Sequence, residues 1–377
     1  MRRLKTNLLL MGISSLFLGI LNCSASAPEP QISLLDSNRV EEPNLVETIK
    51  VPTFVGQPIR LPEDDSEHIG VTTEWWYYNG HLVTENGKAF DFHYVVFALV
   101  QPDLSPVAIA HLGIGDVQEE VYVQGQRIDL LSAARREGKG FAFNLQDWTM
   151  SGFDGNDKLK ASVEDYEFDL NVKPLRPPIL HSKDGVLDFE RAGTSYYYSR
   201  TRQEISGNIL VRDVDYSVSG IGWFDHQWGD FTPVQIGWDW FSLQLSDETD
   251  LMITALRDDA NESISRYGTF VQSNGISFHL TENEIEIEPL DCWVSASSGI
   301  SYPIQWKIKV PRYGIDLVLE SRIPESEFDS IATTGNHYWE GSVEISGTHS
   351  GDGFVELAGY PYPDISLLGT SKAPCGI

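Results

Sequence analysis

The sequence predicts an all-β protein made of two consecutive antiparallel domains. Three observations carry this: period-two alternation of apolar and polar residues, turn dipeptides at hairpin spacing, and very little helical periodicity. Tyr166, Phe168, Leu170 and Val172 alternate with Glu167, Asp169 and Asn171, and Trp306, Ile308 and Val310 alternate with Lys307 and Lys309. Phe241, Leu243 and Leu245 repeat the pattern. Each such run is a strand with one buried face. Asn86-Gly87, Asp154-Gly155, Asp184-Gly185, Asn274-Gly275 and Asp352-Gly353 supply turns, because glycine takes positive φ freely and Asn or Asp tolerates it. Helical pattern is confined to Ile128 to Arg136, before Gly138, and to Glu325 to Ile331. Many short strands with hairpin turns fit barrels or sandwiches rather than a parallel sheet. The pattern is interrupted between Gly229 and Gly237, so the domains are expected at residues 56–232 and 233–377.

At the N-terminus, Arg2, Arg3 and Lys5 precede a mostly apolar run from Leu8 to Leu21, the pattern of a secretory signal peptide over residues 1–22. That run is too short to span a bilayer as a helix. Ile20-Leu21-Asn22-Cys23-Ser24 is similar to a bacterial lipobox, in which Cys23 is acylated, although Asn22 replaces the usual small residue. Cleavage after Ala25 or Ala27 is the alternative and leaves a periplasmic or secreted protein. Residues 23–55, rich in Pro, Ser and Glu, read as a flexible tether. The expected location is the bacterial cell envelope, with membrane attachment only through the lipid. If Cys23 carries lipid, Cys292 and Cys375 are left, either as a disulfide or as two unrelated thiols.

The chain of 377 residues carries 55 Asp and Glu against 27 Lys and Arg, a formal charge of −28 that repels phosphate backbones and argues against a nucleic-acid partner. It has 10 Trp, 15 Tyr and 17 Phe but only 4 Met, which favours rigid aromatic walls over helical packing.

Two aromatic blocks could carry chemistry. In Thr73-Glu74-Trp75-Trp76-Tyr77-Tyr78-Asn79-Gly80-His81, a strand places Glu74, Trp76 and Tyr78 on one face and Trp75, Tyr77 and Asn79 on the other. A carboxylate among rings is either satisfied by polar partners or has a raised pKa and acts as an acid. In Trp223-Phe224-Asp225-His226-Gln227-Trp228, His226 and Trp228 share a face with Phe224 and oppose Asp225, so Asp225 and His226 make no simple dyad. Lying beside two rings with no charged neighbour, His226 is expected to be neutral and able to relay a proton. Further rings occur at Trp238 and Trp240, at Tyr196 and Tyr198, and in Asn336-His337-Tyr338-Trp339-Glu340-Gly341, and His93 is a weaker pocket candidate. Other templates fail: Gly113-Ile114-Gly115 lacks a dinucleotide loop's third glycine, there is no Gly-x-Ser-x-Gly, and the histidines show no metal-ligand spacing. No cofactor and no metal are expected.

The blocks from Glu74 to Leu82, from Gly220 to Gly229, from Tyr338 to Gly341 and from Val355 to Tyr360, in this order, resemble the family that joins bacterial AttH-like proteins with carotenoid 1,2-hydratases, over residues 60–362. The resemblance implies two lipocalin-like β-barrels and relatives that hydrate or cyclise isoprenoid or polyketide substrates in a pocket between or inside the domains. His226 and Trp228 match the family's His-x-Trp motif. The hydratases use an acid in the following strand, expected here from Leu251 to Arg257, which holds no carboxylate.

Two readings follow. In one, the protein is a hydratase or isomerase of an apolar, isoprenoid-like substrate. Asp225 or Glu74 is then the acid, His226 the base that activates water, and Trp228, Trp238, Trp240 and Tyr198 the cation-stabilising walls, with Trp75, Trp76, His81, Trp223 and Trp339 as further lining. In the other, the same rings bind a lipid or other apolar molecule without chemistry. Both expect a single apolar hollow.

Overall fold

The structure, a computed structural model, describes residues 57–100, 105–131, 139–188, 193–231, 237–258 and 263–362. The predicted signal peptide, Cys23 and the tether lie outside the described residues. So does Cys375; Cys292 is disulfide-bonded.

The first sheet comprises β1 (Thr73–Thr84), β2 (Ala89–Leu99), β3 (Val107–Asp116), β4 (Val121–Leu130), β5 (Phe141–Leu145), β6 (Trp148–Phe153), β7 (Asn156–Val163), β8 (Tyr166–Pro174), β9 (Ile179–Leu180), β10 (Val186–Asp188), β11 (Gly193–Val211) and β12 (Val214–Phe231). Its order is β4-β3-β2-β1-β12-β11-β8-β7-β6-β5, with β9 and β10 beside β11. The second sheet comprises β13 (Gly237–Leu245), β14 (Asp250–Arg257), β15 (Ser263–Val271), β16 (Ser277–Leu280), β17 (Glu286–Val294), β18 (Ser301–Val310), β19 (Ile315–Ser321), β20 (Glu327–Asp329), β21 (His337–Gly347) and β22 (Gly351–Ala358). Its order is β16-β15-β14-β13-β22-β21-β19-β18-β17, with β20 beside β21. All pairings are antiparallel. The first sheet is a nearly closed barrel and the second a half-barrel, giving two consecutive lipocalin-like barrels.

The predicted alternation is visible in β8, whose burial switches residue by residue from Tyr166 to Val172. Gly87, Gly155 and Gly275 take positive φ at hairpin turns, as their dipeptides require, whereas Gly185, also at positive φ, links β9 and β10, which both pair with β11 and form no hairpin with each other. Three local expectations are corrected. Ile128 to Leu130 continue β4, which pairs with β3, Leu131 follows without helix, and residues 132–136 of that predicted helix fall outside the described residues. Within Glu325 to Ile331 there is no helix: Glu327–Asp329 form β20, which pairs with β21, and the Glu327 carboxylate accepts from the hydroxyls of Ser295 (2.5 Å) and Ser297 (2.6 Å). Asp352-Gly353 is not a turn but part of β22, facing Gln244 and Leu243 of β13.

Each sheet has its own apolar core. Trp76, Phe92, Tyr94, Trp148, Phe168 and Phe224 fill the first, and Phe241, Trp306, Ile308, Leu317, Trp339 and Val355 the second. A third cluster, including Tyr77, Tyr197, Trp223, Trp240 and Phe354, joins the outer face of β1, β11 and β12 to the second sheet. Polar bonds cross the same junction: Tyr77 donates to Glu340 (2.6 Å), Asn79 to Ser242 (3.0 Å), and Arg202 pairs with Asp250 (2.8 Å).

Candidate functional site

The register of β1 on β12 sets the site. Glu74 faces Trp228, Trp76 faces His226 and Tyr78 faces Phe224, while β11 brings Tyr198 opposite His226. These side chains therefore share the barrel interior, and the residues between them share the junction, as the alternation predicts. The aromatic residues thus serve two faces, and the expectation of one hollow walled by all of them is corrected.

Inside the barrel, Glu74 is fully buried and its Oε1 lies 2.7 Å from His68 Nδ1 and 2.9 Å from His226 Nε2. Its Oε2 accepts the His68 backbone N–H at 2.9 Å. Trp228 stacks on His68 with ring centres 4.0 Å apart, and Trp76 stacks on His226 at 4.5 Å. His226 therefore does have a charged neighbour, contrary to expectation. Burial lowers its pKa and outweighs the Glu74 hydrogen bond. Burial opposes charge on His68 too, yet Glu74 and Asp64 together raise its pKa, and the two imidazoles hold Glu74 low against its own desolvation. His68, Glu74 and His226 are also a metal-capable group, with three donor atoms within 4.8 Å of one another.

The segment that delivers His68 crosses the barrel on a buried anchor. Arg200 reaches both oxygens of Asp65 at 2.9 Å, and Tyr198 also donates to Asp65. Trp76 Nε1 donates to the Asp65 carbonyl at 3.1 Å. His68 and Asp65 carry no signal in periodicity, because they precede the first strand. Their only trace in the sequence is proximity to Glu74.

Asp225 belongs to the junction. It accepts hydrogen bonds from Tyr197 (2.5 Å), Trp223 Nε1 (2.6 Å) and the Ser199 hydroxyl, and burial still pushes it up to about 7. Trp240 Nε1 donates to Tyr197 at 3.0 Å. Trp75 and Trp238 are partly buried against the same cluster. His81 sits at its edge, bonded to Asp91 at 2.6 Å. Trp339 points the other way, into the second core, where its Nε1 donates to the Pro324 carbonyl at 2.8 Å.

Two carboxyl groups that the site prediction missed complete this centre. Glu340 of β21 and Glu356 of β22 stand directly opposite one another, and Trp240 of β13 is the other neighbour of Glu356. Glu340 is buried, accepts from Tyr77 and lies 2.9 Å from His93 Nδ1. Glu356 keeps a small exposed fraction, but desolvation and then the adjacent Glu340 push its pKa well above the usual range, against the donor Trp238. Asp225 adds to that rise. Both glutamates lay within quoted motifs, yet only the register of β21 on β22 makes them a pair.

The placement of the strand after His-x-Trp at Leu251 to Arg257, where no carboxylate stands, is also corrected. The strand after His-x-Trp is β13, which carries Asp239, and this residue is tied to Arg257 (2.5 Å) and the Tyr360 hydroxyl (2.9 Å). Among the described residues, a cleft of about 10 Å³ borders His93, Tyr122 and Glu340, and another of about 20 Å³ borders His68, Asp64 and Trp228. Each has room for about one water molecule.

Comparison with known proteins places this architecture. A family model described as AttH-like matches residues 52–360. A crystal structure from Nitrosomonas europaea, assigned as an AttH, superposes with a TM-score of 0.75 and 26% identity, covering 82% of this chain and 99% of that one. Kievitone hydratase from Nectria haematococca shares the fold with a TM-score of 0.64 and 18% identity, covering 82% of this chain and 94% of that one. No curated protein matches the chain. With its family match spanning nearly all the described strands, this chain belongs to the AttH-like family.

Proposed function

We propose that this AttH-like protein adds water to a carbon–carbon double bond of an apolar, isoprenoid-like molecule, and that the chemistry takes place at the junction of the two barrels. The observation that carries the reading is the Glu340–Glu356 pair, two carboxyl groups directly opposite one another on β21 and β22, with the pKa of Glu356 pushed well above the usual range by desolvation and by its neighbour. Such a pair shares a proton because two adjacent carboxylates cannot both be charged in a desolvated site. Glu356 gives its proton to one alkene carbon, and the charge develops on the other, more substituted carbon. The indoles of Trp238 and Trp240 face that charge. Water then forms the new C–O bond, and its released proton passes to Glu340, so the pair ends with one proton, as it began. Asp225, pushed up to about 7 next to the same rings, adds to the rise that favours the protonated form of Glu356.

Because the cleft at Glu340 is only water-sized, this reading requires the substrate to displace partly buried rings of the junction such as Trp238. Export to the cell envelope through residues 1–22, with an anchor at Cys23, fits a protein handling lipid-soluble compounds. The test is to incubate the full chain with a panel of prenylated alkenes in isotopically labelled water. Label in a tertiary alcohol product supports hydration, and label in recovered alkene supports isomerisation. An apolar ligand that co-purifies and is recovered unlabelled leaves the protein as a lipocalin-like binder.

A further inference from the structure

The junction chemistry leaves the fully buried group at the barrel's centre without a task. We propose that His68, Glu74 and His226 form a binding site for a divalent transition ion, with zinc as the reference. Two imidazole nitrogens and one carboxylate oxygen are a donor set that zinc takes up with three protein ligands and an open fourth position. Here His68 Nδ1, Glu74 Oε1 and His226 Nε2 all lie within 4.8 Å of one another. The two contacts to the carboxylate oxygen are 2.7 and 2.9 Å. A tetrahedral ion with bonds of about 2.0–2.2 Å needs all three donors roughly 3.3–3.6 Å apart, so each imidazole nitrogen moves away from Glu74 Oε1 by about half an ångström while the two nitrogens, up to 4.8 Å apart, close toward that spacing.

The surroundings hold the donors in place. Glu74 Oε2 is fixed by the His68 backbone N–H at 2.9 Å, which leaves Oε1 aimed between the imidazoles. Trp228 and Trp76 stack on the two rings and set their planes. Asp64 lies 3.6 Å from the far nitrogen of His68, the place of the outer carboxylate that orients a metal-bound histidine. The cleft of about 20 Å³ bordered by His68, Asp64 and Trp228 has room for about one water molecule beside the first of the three ligands. Because the three ligands are separated by five and 151 intervening residues, no spacing motif announces them.

The experiment uses tag-free full-length protein stripped with a chelator and titrated with zinc and, separately, cobalt. The proposal expects one equivalent bound per chain, and cobalt bands in the visible region characteristic of tetrahedral N/O coordination. Those bands should be lost in Glu74→Gln and in His68→Ala, and zinc binding should weaken about tenfold in Asp64→Asn, a substitution at a partly exposed position that leaves the barrel intact. If Glu74→Gln or His68→Ala does not fold, the wild-type spectrum and the Asp64→Asn affinity decide. Folded wild-type protein with no such bands, or zinc affinity unchanged in Asp64→Asn together with bands that persist in a folded ligand variant, overturns the proposal.

Discussion

Glu356 of β22 stands across the strand pair from Glu340 of β21, and the latter accepts a hydrogen bond at 2.6 Å from Tyr77 in the other barrel. The two sheets therefore meet on a pair of carboxyl groups rather than on apolar side chains alone. A buried pair of this kind is costly to keep, and that cost is the reason to look for chemistry there.

The Tyr77 hydroxyl both donates to Glu340 and accepts from Asn79 Nδ2 at 3.1 Å, so it joins the barrels through polar contacts. Tyr77→Phe is expected to lower stability by ~1–3 kcal/mol, since the buried carboxylate loses its donor while packing is retained. Urea unfolding of the two proteins checks this, and equal midpoints would show that the link contributes nothing.

Arg200 Nη2 bridges both carboxylate oxygens of Asp65 in an ion pair wholly inside the first barrel. Arg200→Met leaves Asp65 as a buried carboxylate without its cation, and the expected loss is ~3–5 kcal/mol. The double variant with Asp65→Leu should recover part of that loss. A single variant as stable as the wild type would refute the anchoring role of Asp65.

Asp157 is pushed up to about 7 by burial, which outweighs Arg200 and the Tyr78 hydroxyl bonded to it at 2.8 Å. The folded state therefore holds a proton that the unfolded chain, near the ordinary aspartate value of 3.8, releases first. Its destabilising contribution is absent below the ordinary carboxylate range, grows as pH rises through that window and is complete above about 7. Asp157→Asn should flatten the fall in stability across this range. Thermal midpoints measured on both proteins at a series of pH values give the answer, and parallel curves would contradict it.

Much of the site was legible because strand alternation fixes faces. Glu74, Trp76 and Tyr78 share the interior with His226 and Trp228, and Trp75, Tyr77 and Asp225 share the junction, as period two requires. What alternation cannot supply is which distant strands are neighbours. His68 reaches Glu74 from an irregular segment, and Glu340 meets Glu356 only through the β21–β22 register. At Ile128 to Leu130 and at Glu327 to Asp329, strand pairing stands where helix was predicted, for the same reason. Pairing with β3 and with β21 overrides weak local preference.

The most direct measurement is incorporation of solvent label into an alkene substrate by wild type, Glu356→Gln and Glu340→Gln, each checked for native circular dichroism. With its proton donor removed, Glu356→Gln should lose about 100-fold or more in rate, and Glu340→Gln, lacking the acceptor, should be impaired as well. A folded Glu356→Gln protein that hydrates at the wild-type rate would contradict the assignment of the reaction to this carboxyl pair.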